Sequence, residues 1–393
     1  MSSLSPREVG RRIATIRRTR RMTQERLARA AFVSLPMVKA VERGARSPSD
    51  DTLDSLATAL SVDPSHIVTG STRTDSRVRA ALPGISAAIA AHDIPADARP
   101  RPPAELDADV TVLAQWRLGA QYARIAERAP ALLAEALAAL HRTAGADRLH
   151  AAQVLTTVTR SADAVAFKFG AHDLSARLVD LMRWAADQTD DPIARATAAY
   201  VRTETFFAAR AHAQGLTALE QAIDAGPAPL GRQATAVRGA LHMRAAVIAG
   251  RARRADTAEA HLAEARRLGD ALPEGTYAGT QFGPDSVRAH EVSVAVSLGE
   301  DHVQRAFDVA QEWEPPEHMP AERRSGFWIE LARAQVWAGR PDDAFESLKV
   351  ARTIAPQHTR EHPWAREAAA TVRRLKRADA ESLTSFAVWI GAV

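Results

Sequence analysis

Ile16-Arg17-Arg18-Thr19-Arg20-Arg21-Met22-Thr23-Gln24-Glu25-Arg26-Leu27-Ala28 is the stretch on which the fold turns. It holds the end of one helix, a break, and the start of another. Upstream, Ser5-Pro6-Arg7-Glu8 is a capping box with Pro at the first helical position. Val9, Ile13 and Ile16 then recur at helical spacing, which predicts a first helix. Thr23 is placed to cap a second helix through Gln24, Leu27 and Ala30. Downstream, Ser34 is placed to cap a third, with Pro36 tolerated in its first turn and Val38 and Val41 inward. Gly44 is a natural stop. After Ser47-Pro48-Ser49, a fourth helix sets Leu53, Leu56, Ala57 and Leu60 on one stripe, and Asp63-Pro64 opens a short fifth.

Charge singles out the same region. From Met1 to Arg46 there are 12 Lys or Arg and 3 Asp or Glu, a balance of +9, whereas the rest of the chain balances at −5. A basic head on a mildly acidic body implies a polyanionic partner for the head alone. The 393 residues suffice for two or three domains. They are 46% hydrophobic but only 5% aromatic, so the cores must be built from Ala, Leu and Val, which favours packed helices. There is no Cys, which excludes disulfides and thiolate metal or redox sites and suits a reducing cytoplasm. There is also no Asn, as a GC-rich genome favours. No run of apolar residues is long enough to span a membrane. The arginine pairs Arg11-Arg12, Arg17-Arg18 and Arg20-Arg21 are not followed by an apolar segment, so no export signal is expected. The expected location is cytoplasmic.

Five short helices in about seventy residues, two of them joined by a tight turn, fit a helix-turn-helix domain. The quoted stretch, with Val33-Ser34, Val41-Glu42-Arg43-Gly44, Pro48 and Leu53 through Leu60, resembles lambda-repressor-like (XRE) regulators over roughly residues 5–70. That resemblance implies double-stranded DNA as partner, with helix three in the major groove. It puts Ser34, Leu35, Pro36, Met37, Lys39 and Ala40 toward the bases and Arg18, Arg21, Gln24, Arg43 and Arg46 toward phosphates. This reading set is apolar for its role. Lys39 can donate to guanine, while Leu35, Met37 and Ala40 can only touch thymine methyls, which leaves a larger share to DNA shape. The resemblance also implies an ion pair between Arg17 and Glu42 that fixes helix three on helix one. Phe32 departs from the family, which often has Gly in the turn, so a reshaped turn is expected.

Residues 71–104, with Pro83-Gly84, a short helix over Ile85–Ala91, and then Pro95, Pro100, Pro102 and Pro103, read as a linker. From Glu105 onward the pattern is helix after helix with no strand: roughly 105–128, 130–142, 147–169, 172–187, 192–212 and so on to 379–390. These pair into hairpins. Gly339, Ala344, Leu348 and Ala351 echo Gly250, Ala258, Leu262 and Ala265, and Trp116, Gly119 and Tyr122 resemble part of the tetratricopeptide signature, with the Trp-to-Gly spacing one residue short. The expected fold is therefore all-α: residues 1–70 a lambda-repressor-like helix-turn-helix domain, 71–104 a linker, and 105–393 a degenerate tetratricopeptide-like α-solenoid for sensing and dimerisation.

Together the halves resemble actinobacterial XRE regulators with a tetratricopeptide sensor, akin to the RRNPP receptors of peptide quorum sensing. Thr280 through Pro284 with Val287 and His290, and Arg340 through Ala344 with Ile354 through Pro356, carry that likeness. It implies a peptide or small-molecule effector on the concave face and a homodimer on a palindromic operator. That family clamps peptide with Asn, which is missing here. Either Gln and Arg substitute or the ligand is not a peptide. The candidate wall positions are Arg117, Gln121, Arg202, Arg238, His242, Phe282, Asp285, His290 and Trp328. The other reading of the solenoid is a scaffold for a partner protein. Zincin, P-loop, dinucleotide-binding and nucleophile-elbow motifs are lacking, and the thirteen His residues have no metal-ligand spacing. No catalysis, metal or cofactor is expected. Phe386 through Ile390 either caps the last hairpin or joins two subunits.

Overall fold

The computed structural model describes residues 5–60, 62, 67, 73–94, 101, 103–375 and 381–392. Its head contains α1 (Pro6–Thr19), α2 (Gln24–Ala30), α3 (Leu35–Glu42) and α4 (Asp50–Ala59). The capping residues act as the sequence predicts. Glu8 N–H donates to Ser5 Oγ while Ser5 N–H donates to the Glu8 carboxylate, and Thr23 and Ser34 accept from Arg26 and Met37 N–H. Gly10 sits where a Cβ would lie 2.0 Å from the Val41 carbonyl oxygen, so its bare backbone lets α1 cross the end of α3. Ile13, Leu27, Val38, Val41, Leu56 and Leu60 form the head's core. The fifth helix expected from Asp63-Pro64 lies outside the described residues, as do Pro95, Pro100 and Pro102.

The expected linker is corrected over much of its length. Arg73–Ala90 is one helix, α5, that runs through Pro83. Val78, Ile85 and Ile89 fall on one face and are buried in the same core as the next helices. Burial of that stripe outweighs the proline, and Gly84 lets the Pro130 ring come within 3.3 Å of where a Cβ would stand. The body continues with α6 (Pro103–Leu118), α7 (Tyr122–Arg142), α8 (Gly145–Lys168), α9 (His172–Asp187), α10 (Pro192–Ala209), α11 (His212–Ala225), α12 (Arg232–Arg251) and α13 (Ala255–Gly269). The break expected before Pro130 falls instead at Gly119 to Gln121, where Ala120 turns left-handed at φ 54°. Pro130 stays inside α7 because Ile125, Ala129, Leu132, Leu133 and Ala136 make one continuous buried face around it.

A second correction is a β-hairpin where no strand was expected. Gly275–Tyr277 (β1) pairs antiparallel with Thr280–Phe282 (β2), Thr276 opposite Gln281. Ala278 and Gly279 both take positive φ, 46° and 70°, as a two-residue hairpin turn of the right twist requires. Then follow α14 (Pro284–Leu298), α15 (Val303–Glu312), α16 (Ala321–Trp337), α17 (Pro341–Ile354), α18 (Pro356–Glu361), α19 (Pro363–Leu375) and α20 (Glu381–Ile390).

The body is a helical-repeat solenoid. α8, α10, α12, α14 and α16 each pack on the next to make an inner row, and α9, α11, α13, α15 and α17 back them from outside. The row bends until it meets itself. Ala123 N–H donates to Gln357 Oε1 at 3.1 Å, and Ala355 joins the core of α6 to α8. Phe386 and Ile390 are buried with Ile329, Phe345 and Leu348, so α20 caps the last hairpin. Its Val388 also packs against the head's core, and α20 lies on α1.

Candidate DNA-reading head and interior cavity

In the head, α3 is held from behind. Arg17 Nε and Nη2 donate to the two Glu42 carboxylate oxygens at 2.6 and 2.9 Å, and Arg17 Nη1 donates to the Met22 carbonyl at 2.8 Å. Gln24 Nε2 donates to Glu42 at 2.7 Å. The pair is nearly buried, so it locks α1, α2 and α3 together. The N-terminal side of α3 faces out. Ser34, Pro36 and Lys39 are exposed, whereas Leu35 and Met37 are half-buried against the head's core and Ala40 is half-buried. Arg43 and Arg46 are exposed beyond its C-terminus.

In the body, the inner row and its neighbours line a cavity of about 830 Å³. Among the described residues, nine Lys or Arg and five Asp or Glu line it, so its lining is positive. Arg117 and Arg160 reach across to grip the hairpin tip: Arg117 Nη2 donates to the Gly279 carbonyl at 2.6 Å, and Arg160 donates to the Ala278 carbonyl and to Thr280 Oγ1. Tyr200 on α10 accepts from Arg323 Nη2 at 2.8 Å, and Arg323 Nη1 also reaches His290 Nε2 at 3.1 Å. His290 Nδ1 in turn faces the Ser286 carbonyl at 2.8 Å, which assigns that nitrogen as the donor and leaves Nε2 to accept. Burial pushes the Tyr200 hydroxyl up, but Arg244, Arg323 and Arg160 together outweigh it and bring its pKa down to about 8. Burial would likewise raise the Glu322 carboxyl, yet Lys168, His358 and Arg117 hold it down, to about 2. Lys168 Nζ lies 2.9 Å from that carboxylate.

The comparison with known proteins adds the family of the head. Residues 8–68 match a family described as a helix-turn-helix domain. The head is a helix-turn-helix domain. No curated protein matches the chain in sequence. Among solved structures, Bacillus thuringiensis PlcR in complex with the peptide PapR7 and DNA is similar at 15% identity, over 68% of this chain and 95% of that one, with a TM-score of 0.30.

Of the residues assigned to the helix-turn-helix domain's DNA face, Gln24 is engaged with Glu42, Arg18 Nε donates to the Ala14 carbonyl and Arg43 Nε to the Lys39 carbonyl. Of the nine wall candidates, the cavity brings together Arg117 and His290. The others lie elsewhere. Gln121 stands at the start of α7, Arg202 stacks on Phe206, and Arg238 donates to the Ile223 carbonyl. His242 meets His261 at 3.0 Å, and burial lowers its pKa to about 4. Phe282 fills the core against Gly239, Asp285 accepts from Trp313 Nε1, and Trp328 packs between two hydrophobic clusters. Sequence reasoning missed Arg160, Tyr200, Arg244, Arg251 and Arg323. The signal was there in part: Tyr200 and Phe207 on α10, and Arg244 and Arg251 on α12, share the same seven-residue spacing. Among the described residues there is no cluster of three metal-ligating side chains, and no helix is long and apolar enough to cross a membrane.

Proposed function

We propose that the protein is a ligand-responsive, sequence-specific DNA-binding transcription regulator. One observation carries this reading: a basic helix-turn-helix domain offers the N-terminal side of α3 to solvent while its other side leans on the body that holds the cavity. On this reading Lys39 donates to guanine, Pro36 with the half-buried Leu35, Met37 and Ala40 meets thymine methyls, and Arg18, Arg21, Arg43 and Arg46 meet phosphates. Two copies sit on a palindromic operator, one helical turn or about 34 Å apart. The protein works beside its DNA in the cytoplasm, needs no cofactor, and catalyses nothing.

The cavity is the effector site. α19 lends Trp364 to its wall and packs on α20, and α20 packs on α1. A ligand that prefers one position of α19 therefore biases the placement of the head. The contact between α7 and α18 narrows the space in front of the inner row, which favours a peptide or small molecule over a partner protein. Selection of bound sequences from random DNA by the purified full-length protein, at near-physiological salt, tests the reading. An enriched palindrome is expected. Salt-sensitive binding with no enrichment would overturn the site-specific reading.

A further inference from the structure

Along one wall of the cavity, rings and guanidinium groups alternate. Arg244 lies 4.3 Å from the Tyr200 ring centre and 5.7 Å from that of Phe207. Arg251 lies 4.2 Å from Phe207 and 4.9 Å from Trp364. Behind the wall, Arg333 continues the stack 4.2 Å from Trp364 and 4.6 Å from Trp337. The order follows from the shared spacing on α10 and α12, whose side chains interleave. Rings on either side fix the plane of a guanidinium, and stacking leaves the N–H groups at its edge unused.

Those edges lack acceptors. Among the described residues, the Arg251 guanidinium makes no hydrogen bond and no ion pair within 4 Å, with Glu330 the one carboxylate that acts on it from farther off, and its Nε is buried without a partner. Arg244 Nε is buried and unpartnered too, and Arg244 Nη2 has only a long ion pair, 4.0 Å to Glu204 Oε1. Native proteins seldom leave buried donors unused, and exceptions point to a missing partner. The surrounding charge says which kind. Cations outnumber carboxylates in the lining, and two of those carboxyls, Asp163 and Glu330, are pushed toward their neutral form by burial.

We propose that Arg244 and Arg251 form an oxyanion site for a metabolite-sized organic anion, with its carboxylate or phosphate groups in the planes of the two guanidiniums and its apolar part against Phe207 and Val247. Two turns of α12 separate the arginines, roughly 10 Å along its axis, so the site suits a ligand with an anionic group at each end or one elongated group. The cavity volume is that of a small-molecule site. Guanidinium groups suit an anion, whereas the Asn side chains that would clamp a peptide amide are missing from the chain.

This inference rests on the effector-chamber reading, yet the two fail separately. DNA selection reads the head with no ligand present, and calorimetry reads the chamber with no DNA. The test is isothermal titration of the dialysed full-length protein with pyrophosphate, citrate and, as an uncharged control, succinamide. Saturable binding of pyrophosphate or citrate is expected, with none of succinamide, and the tighter arm names phosphate or carboxylate as the group. Arg244→Met and Arg251→Met should each weaken it at least tenfold, while Arg333→Met, behind the wall, should leave it within twofold. Absence of saturable anion binding by the wild-type protein would overturn the proposal without recourse to any variant. So would equal binding of succinamide, or unchanged affinity in both chamber variants with native circular dichroism.

Discussion

Phe32 stands at φ 54° with its side chain 97% exposed, between α2 and α3. The expected reshaping of this turn does not occur: Val33 N–H still donates to the Ala28 carbonyl at 3.0 Å, and the ring is turned out to solvent. The backbone holds a left-handed conformation that a bulky residue dislikes. Phe32→Gly is therefore expected to stabilise the protein, by about 1 kcal/mol in urea melts. Arg17 works the opposite way. Its side chain is 11% exposed and that of Glu42 6%, so Arg17→Met strands a carboxylate in a nearly dry site. A loss of about 3 kcal/mol is expected, read in the same melts. That pair was legible from the family spacing, whereas the attachment of Gln24 to it was not, because sequence carries no sign of which way an amide turns. Tyr200 gives a third test. Its ionisation is expected near pH 8, about two units below the ordinary phenol, in a spectrophotometric titration of the phenolate. The phenolate adds a negative charge beside Arg244, so anion affinity in the chamber should be full below pH 8 and fall as the pH rises through it.

At the scale of elements, the proposed seating of α3 in the major groove gives Lys39, on it, and Arg43, at its end, different tasks. Lys39→Ala should relax preference at one base position in selected sites. Arg43→Ala should weaken binding to all sequences alike and flatten its salt dependence. Both are read by fluorescence anisotropy on the selected operator, and identical effects from the two would contradict the placement of α3 in the groove. Caps and stripes made the head's helices legible, because those signals are local. The prolines misled twice for one reason. Pro83 and Pro130 sit inside helices whose apolar faces are continuous, and burial along a whole helix outweighs one lost hydrogen bond. The hairpin at Gly275–Phe282 escaped because Ala278-Gly279 is a weak turn signal and each strand is only three residues. The cavity wall was less legible still. A guanidinium gains its meaning from rings on another helix, and which helices face each other is decided by the curvature of the stack.

The whole molecule is shaped by that curvature. In an open solenoid each repeat touches only its neighbours, so stability is a sum of local terms and the ends fray first. Here the seam between Ala123 and Gln357, with Ala355 in the core of α6 to α8, gives the early helices the late ones as neighbours. Among the described residues the two ends of the stack thus touch along a narrow seam. Urea unfolding of the body should accordingly be a single transition by both circular dichroism and tryptophan emission, with α7 and α17 equally protected in hydrogen exchange. Early exchange of α16 to α18 with α7 still protected would mean that the seam carries no weight. A seam also changes what a local disturbance can do. In a row, strain applied at one repeat dies away toward an open end. Where the ends touch, part of it can pass across the seam, so on the proposed reading a small shift at the cavity wall would reach α20 and the head that leans on it.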